Sequence, residues 1–211
     1  MNNIPRIGDQ APDFEAITTT GKIKFSDYNQ GSWIIFFSHP ADFTPVCTTE
    51  MSGFALEQDT FFAVHNCKLM GLSIDSIHSH IAWVDNVRKN TGVLFKFPIV
   101  ADIDMHVSQL WGMLQPGESE TAAVRAVFII DPNGIIRLVM YYPMSVGRNM
   151  GEIKRALLAL QTTVEHKVAC PLNWQPGDKV IVPPPKSVDA LEERLNSDLE
   201  MVDFYLAKKA L

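Results

Sequence analysis

Two periods of apolar spacing run along this chain, and they mark different elements. Trp33-Ile34-Ile35-Phe36-Phe37-Ser38 is a continuous apolar run, the pattern of a strand buried on both faces. Apolar residues at Met51, Phe54, Ala55, Phe61 and Phe62 keep helical spacing, which predicts a helix from near Thr44 to about His65. Residues 68–74 read as a second strand, and Ile77, Ile81, Val84 and Val87 as an amphipathic helix that Asn90-Thr91-Gly92 ends. Phe97-Pro98-Ile99-Val100 predicts a short strand, with Pro98 at a sheet edge or among its first residues. Residues 104–113 predict a short helix. Residues 124–130 and 135–142 are two β runs joined by Asp131-Pro132-Asn133-Gly134, whose proline and glycine sit where a tight turn favours them. Asn149 can cap a helix carrying Ile153, Leu157, Leu160 and Val164 on one face. This order predicts the α/β class, with a mixed central β-sheet flanked by helices.

The character changes near residue 166, which divides the chain into a domain over 1–165 and an arm over 166–211. Cys170-Pro171, Gln175-Pro176-Gly177-Asp178 and Pro183-Pro184-Pro185 make a turn-rich, semi-rigid segment. Ser187 then caps a predicted last amphipathic helix with Leu191, Leu195, Leu199, Val202 and Leu206. That stripe must be buried, either on its own domain or on another subunit.

Composition narrows the classes. The chain has 211 residues, 46% hydrophobic and 20% charged, as expected of a globular protein. Eighteen Lys and Arg against 24 Asp and Glu give a net charge of −6, the wrong sign for tracking nucleic-acid phosphates. No apolar run reaches the roughly 20 residues of a membrane span. The stretch Met1-Asn2-Asn3-Ile4-Pro5-Arg6 has no apolar core of a secretory signal. The expectation is a cytoplasmic protein with neither membrane nor nucleic-acid partners. Three cysteines, Cys47, Cys67 and Cys170, offer no zinc-binding spacing and no CxxC.

Cys47 is the most informative of them. Thr44 suits an N-cap and Pro45 the first helical position, which puts Cys47 in the first helical turn. Unpaired backbone N–H groups and the positive end of the helix dipole favour thiolate over thiol there. Complete ionisation of a free thiol gains only roughly 30-fold, about 2 kcal/mol, at neutral pH. A fast thiol enzyme therefore needs a further group for charge developing in the transition state. Arg125, within the apolar run Val124-Arg125-Ala126-Val127-Phe128, is a candidate, because a charge in such a strand is costly without a partner. Cys67, at the start of an apolar strand, reads as a packed core thiol, and His78-Ser79-His80 as a solvated helix start.

Ser38-His39-Pro40-Ala41-Asp42-Phe43-Thr44-Pro45-Val46-Cys47-Thr48-Thr49-Glu50 resembles the active-site signature of peroxiredoxins, Pro-x-x-x-Thr-x-x-Cys, in its one-cysteine form. The likeness continues through Leu72-Ser73-Ile74-Asp75-Ser76, Arg125, Tyr142-Pro143, Gly147-Arg148-Asn149, Asn173-Trp174-Gln175-Pro176-Gly177-Asp178 and Val182-Pro183-Pro184-Pro185. It implies a thioredoxin-like fold with a C-terminal dimerisation arm, and a thiol-dependent peroxidase acting on hydrogen peroxide and alkyl hydroperoxides. It further implies that Cys47 is the nucleophile that becomes a sulfenic acid. Thr44 orients the peroxide and hydrogen-bonds the sulfur, and Pro40 shields the site. Arg125 stabilises the thiolate and the departing oxygen, Arg148 supports Glu50, and His39 borders the peroxide entrance.

The resemblance implies no cofactor and no metal. The reductant is an external thiol, a redoxin or a low-molecular-weight thiol, and the assembly a homodimer that can build rings of dimers. No cysteine lies in the last forty residues, so Cys170 is left as the internal candidate for a resolving thiol. Some relatives add a lipase activity through Gly-x-Ser-x-Gly. Here Gln30-Gly31-Ser32-Trp33-Ile34 lacks that pattern, and Asp75 spoils it in Gly71-Leu72-Ser73-Ile74-Asp75. A different class of function, a redox-gated chaperone or peroxide sensor, would make Cys47 a switch rather than a catalyst. A general disulfide reductase is disfavoured, because Thr44 and Cys47 stand where that chemistry needs two cysteines.

Overall fold

The computed structural model describes residues 4–211, so the first three positions of the stretch read for a secretory signal lie outside the described residues. The chain forms two compact units, Met1–Arg148 and Asn149–Leu211. The first contains β1 (Glu15–Thr18), β2 (Gly21–Lys24), α1 (Phe25–Asn29), β3 (Trp33–Ser38), α2 (Pro45–Glu57), β4 (Cys67–Ser73), α3 (Ile77–Thr91), β5 (Ile99–Ala101), α4 (His106–Leu110), β6 (Arg125–Ile130) and β7 (Ile136–Tyr142). The strands form one seven-stranded sheet in the order β2-β1-β5-β4-β3-β6-β7. β3 runs parallel to β4 and antiparallel to β6, so the sheet is mixed. Together with the helices this is the thioredoxin-like architecture expected.

Alternation along the strands assigns the two faces. Ile34 and Phe36 of β3 join Met70, Leu72, Ala126, Phe128 and Ile130 in one apolar cluster with Phe14, Phe25 and Trp111. Trp111 stands edge-on to Phe36 at 4.8 Å and to Phe128 at 5.0 Å, the preferred aromatic geometry. The intervening residues point the other way. Phe37 stacks on Phe54 of α2 at 4.0 Å, and the same alternation in β6 aims Arg125 at the α2 side. A sheet with period two thus delivers a cation to the face on which the cysteine helix lies. β6 is flanked by β3 and β7, so Arg125 is an interior-strand arginine and not an edge one.

Local signals set the helix ends. Ser76 accepts from the Ser79 N–H at 3.2 Å to cap α3, and Gly92 closes it with φ 76°. α2 ends at Glu57 and is followed by a π-helical turn, Gln58–Phe62, so the helix expected to run on to about His65 changes geometry eight residues earlier. β5 begins after Pro98 and pairs on both sides, which places the proline just ahead of the strand rather than at a sheet edge. Among the described residues no helix is long and apolar enough to cross a membrane.

The second unit holds α5 (Met150–His166), β8 (Val180–Val182), α6 (Val188–Leu195), β9 (Glu200–Asp203) and β10 (Leu206–Lys209). It begins at Asn149, ahead of the 165/166 division drawn from composition, so α5 groups with the arm. Asn149 and Ser187 cap their helices as expected. The long last helix is corrected. α6 stops at Leu195, and Leu199, Val202 and Leu206 lie beyond it on a turn and a β-hairpin. Asn196-Ser197 breaks the helix, and β10 then pairs with both β8 and β9, burying Ala207. Arg194 of α6 donates to the carbonyls of Phe204 and Pro183, which ties the hairpin to the helix end.

Because Trp111 is the hub of the aromatic cluster, Trp111→Ala is expected to lower unfolding free energy by roughly 3–5 kcal/mol in urea titration.

Candidate active site

Cys47 occupies the third position of α2, behind Thr44 at the cap and Pro45 at the first helical position. Its side chain is fully buried. Arg125 Nη1 donates to Cys47 Sγ at 3.3 Å and to Glu50 Oε2 at 2.6 Å. The rest of the guanidinium is fixed by the Met144 carbonyl, which accepts from Nε at 2.9 Å and from Nη2 at 2.6 Å. All three guanidinium nitrogens are engaged, so the group is aimed in advance at the sulfur.

Glu50 lies three residues after Cys47, on the same face of α2. Its Oε1 accepts from the backbone N–H of Arg148 at 2.8 Å and from Arg148 Nε at 2.9 Å, and its Oε2 from Arg148 Nη2 at 2.8 Å. Arg148 Nη1 donates to the carbonyls of Ser38 at 2.9 Å and Ala126 at 3.1 Å, and the guanidinium lies 5.1 Å from the Phe37 ring. Burial opposes ionisation of Glu50, but the charge and hydrogen bonds of Arg148, aided by Arg125, outweigh it and hold the carboxyl below its usual range. Burial likewise pulls Arg148 down, with Glu50 opposing. Two guanidinium charges face one carboxylate, and the surplus positive charge faces the sulfur.

Other expected residues land differently. Thr44 caps α2 by backbone conformation only, and its hydroxyl proton goes to the Ala41 carbonyl at 2.9 Å rather than to the sulfur. Pro40 is buried. His39 is also fully buried, and its Nε2 meets Asp42 Oδ1 at 3.0 Å. His80, read as part of a solvated helix start, is buried too, because α3 turns it under the loop onto Asp42. His39, Asp42 and Asp75 bring their ligating atoms within 4.8 Å of one another. The facing atoms of His39 and Asp42 bond each other, and Asp75 Oδ2 already accepts from Ser73 and from the Asp42 N–H, so the arrangement is a hydrogen-bonded cluster. Sequence reasoning missed the roles of Asp42, His80 and the Met144 carbonyl. A backbone acceptor leaves no compositional trace, while an aspartate three residues after a histidine in a loop was a usable signal.

Cys67 is buried at the start of β4, where burial pushes its thiol up, as a packed core thiol should be. Cys170 is half-buried in the second unit, and burial raises its thiol as well, with Arg155 opposing.

The AhpC/TSA family matches residues 7–139, and the C-terminal domain of 1-Cys peroxiredoxin matches residues 159–197. This chain belongs to the AhpC/TSA family of peroxiredoxins. It is 51% identical over 215 residues to a peroxiredoxin of Methanosarcina mazei, covering 98% of each chain. It is 52% identical to peroxiredoxin 2 of Caldanaerobacter subterraneus, covering 98% of this chain and 93% of that one. Among solved structures, a yeast mitochondrial 1-Cys peroxiredoxin superposes with a TM-score of 0.87 at 40% identity, covering 99% of this chain and 100% of the other. Its structure was described for thiol resolution via glutathione/thioredoxin systems. Peroxiredoxin 6 of Arenicola marina gives a TM-score of 0.87 at 37% identity, covering 97% of each chain. As a peroxiredoxin, the chain is a thiol-dependent peroxidase.

Removing Glu50 leaves two guanidinium groups buried side by side, so Glu50→Gln is expected to lose roughly 3–5 kcal/mol of stability at pH 7 by urea titration. The carboxyl's folded range lies below its ordinary value of 4.5, so its stabilisation is complete above that pH and lost as pH falls through the folded range. The acid limb of stability should accordingly be shallower in Glu50→Gln.

Proposed function

We propose that this peroxiredoxin reduces hydrogen peroxide and organic hydroperoxides through a sulfenic acid on Cys47, and that an external thiol completes the cycle. The carrying observation is the 3.3 Å contact from Arg125 to a sulfur seated at a helix N-terminus. The Cys47 thiolate attacks one peroxide oxygen, an S–O bond forms and the O–O bond breaks. The departing oxygen carries the electron pair away and takes a proton to become water or an alcohol. Arg125 is already held by Met144 and Glu50, so charge moving from sulfur to oxygen meets a cation that need not reorganise. Thr44 and Pro40, three and seven positions before Cys47, shape the approach of the peroxide.

A reducing thiol then condenses with the sulfenic acid, releasing water and forming a mixed disulfide that a second thiol cleaves. Thiols supply both electrons, so the cycle draws on no prosthetic group. Cys170 is a poor resolver in this reading, because burial disfavours the thiolate that resolution needs. Resolution via glutathione/thioredoxin systems in the yeast relative supports a redoxin or low-molecular-weight thiol here. Three unpaired cysteines suit a reducing compartment, and we place the enzyme in the cytoplasm. We read it as a homodimer able to form rings. β7 ends the sheet with Leu138, Val139 and Met140 half-buried, a strand edge that a second copy can extend.

One equivalent of hydrogen peroxide, a sulfenic-acid trap and mass spectrometry of all three cysteines test the reading. Sulfenic acid on Cys47 is expected; an unmodified Cys47 would overturn it, and a Cys47–Cys170 disulfide would replace the external thiol with an internal one. In single-turnover kinetics, Arg125→Gln should slow Cys47 oxidation by about 10²–10³-fold. Cys67→Ser should leave it unchanged.

A further inference from the structure

Under the loop that joins β3 to α2 lies a second polar cluster, which the chemistry above does not use. His39 and His80 are 0% exposed and Asp42, between them, 6%. His39 Nε2 meets Asp42 Oδ1 at 3.0 Å, and His80 Nδ1 meets Asp42 Oδ2 at 2.8 Å. The other nitrogen of His80, Nε2, faces the Val100 carbonyl oxygen at 3.1 Å.

The protons in this cluster can be counted. A carbonyl oxygen only accepts, so His80 Nε2 carries a hydrogen. A carboxylate oxygen also only accepts, so each of the two contacts to Asp42 needs a hydrogen from its imidazole. Two neutral imidazoles supply two N–H groups, and three contacts need three. We propose that the Asp42–His80 pair holds this third proton at neutral pH, and that the proton clamps the active-site loop, which makes His80 a positioning residue for the Cys47 reaction. The second half of this rests on the peroxidase reading above.

The surroundings agree with that count. Burial opposes ionisation of Asp42, but hydrogen bonds from His39 and His80 outweigh it and hold its carboxyl down to about 2, which puts the proton on the imidazole side. Burial pulls His39 down against the hydrogen bond from Asp42, which makes it the neutral member, and the charge of Arg148 acts in the same direction. Asp75 Oδ2 accepts the Asp42 N–H at 3.0 Å and the Ser73 hydroxyl at 2.6 Å, adding a negative charge on the loop side. The Trp83 ring lies 5.2 Å from the His39 ring and carries no charge.

The clamp has something to hold. Phe43, next to Asp42, has φ 53°, a left-handed conformation that is strained for any residue with a β-carbon. Asp42 is pinned through both carboxylate oxygens and its N–H, and Thr44, the cap residue of α2, follows one residue after Phe43. If the proton leaves at alkaline pH, it leaves Nε2, whose partner is a neutral carbonyl, so Nε2 and the Val100 oxygen face each other as two acceptors in a dry site and His80 loses its anchor on β5. The His80 ring then shifts and carries its hold on Asp42 with it, Phe43 relaxes, and the first turn of α2 moves off the geometry that presents Cys47 to Arg125.

Nitrogen-15 NMR of the reduced protein at pH 7 reads the proton directly, with His80 assigned by the signal lost in His80→Gln. Both ring nitrogens of His80 are expected to be protonated; a bare nitrogen on His80 would overturn the proposal. Asp42→Asn tests the consequence, since an amide can accept from His39 and donate to a neutral His80, keeping all three contacts without the third proton. The wild-type rate of Cys47 oxidation is expected to fall on the alkaline side, and Asp42→Asn to lose that fall. Identical profiles would overturn the clamp. Failure of peroxide to react at any pH would sink the peroxidase reading, while the NMR result would still decide the proton. That result does not depend on whether Asp42→Asn folds.

Discussion

The site depends on Glu50 holding two arginines that would otherwise repel each other. Arg125 and Arg148 approach from different parts of the chain, one on β6 and one on the segment after β7, and both end on the same carboxylate. A buried pair of cations is unstable alone, and a buried carboxylate is nearly as costly. Together they leave one positive charge uncompensated, and the sulfur of Cys47 is the group placed to answer it. The cluster is also a mechanical joint. Arg148 reaches the carbonyls of Ser38 and Ala126, so it ties the C-terminal ends of β3 and the beginning of β6 to α2. Stability of the fold and polarity of the site are thus set by one set of hydrogen bonds.

The helix N-terminus needs a fixed loop in front of it. Thr44 does not cap α2 with its hydroxyl, which binds back to Ala41, so the loop is closed on itself and Thr48 takes the backbone bond to Thr44 at 3.0 Å. The cap residue thus offers the first-turn N–H groups no side-chain acceptor, and such a helix end favours an anion. Asp42 anchors the same loop from below. The two anchors act on opposite sides of Phe43, whose left-handed backbone persists because both neighbours are held.

Most of the sheet was legible because its strands are apolar on both faces or alternate cleanly. The run 33–38 reads as an interior strand and is one, and the turn at 131–134 joins β6 to β7 as its proline and glycine imply. Cys47 and Arg125 were legible as chemistry, one from helix-start signals and the other from a charge inside an apolar strand. The last helix was misread because Leu191, Leu195, Leu199, Val202 and Leu206 repeat at three- and four-residue intervals across two kinds of element. Only the pairing of β10 with β8 and β9 decides between them, and long-range pairing is invisible in a local window. His80 was misread for a related reason. A helix start is usually solvated, and nothing near residue 80 announces an aspartate 38 positions earlier.

The three cysteines show how much of reactivity is environment. Cys47 and Cys67 are both buried, so access to solvent does not separate them. Cys67 begins a strand among apolar neighbours, and the cost of desolvating a thiolate goes unanswered there. Cys170 has Arg155 nearby, yet burial still prevails. Cys47 loses the same water but gains a guanidinium at hydrogen-bond distance and the open end of a helix. The difference lies in what replaces the water, and replacement requires partners already fixed by other bonds. Arg125 meets that condition because the Met144 carbonyl and Glu50 hold its guanidinium in place, and in the proposed reaction the same group faces the sulfur and then the oxygen that leaves.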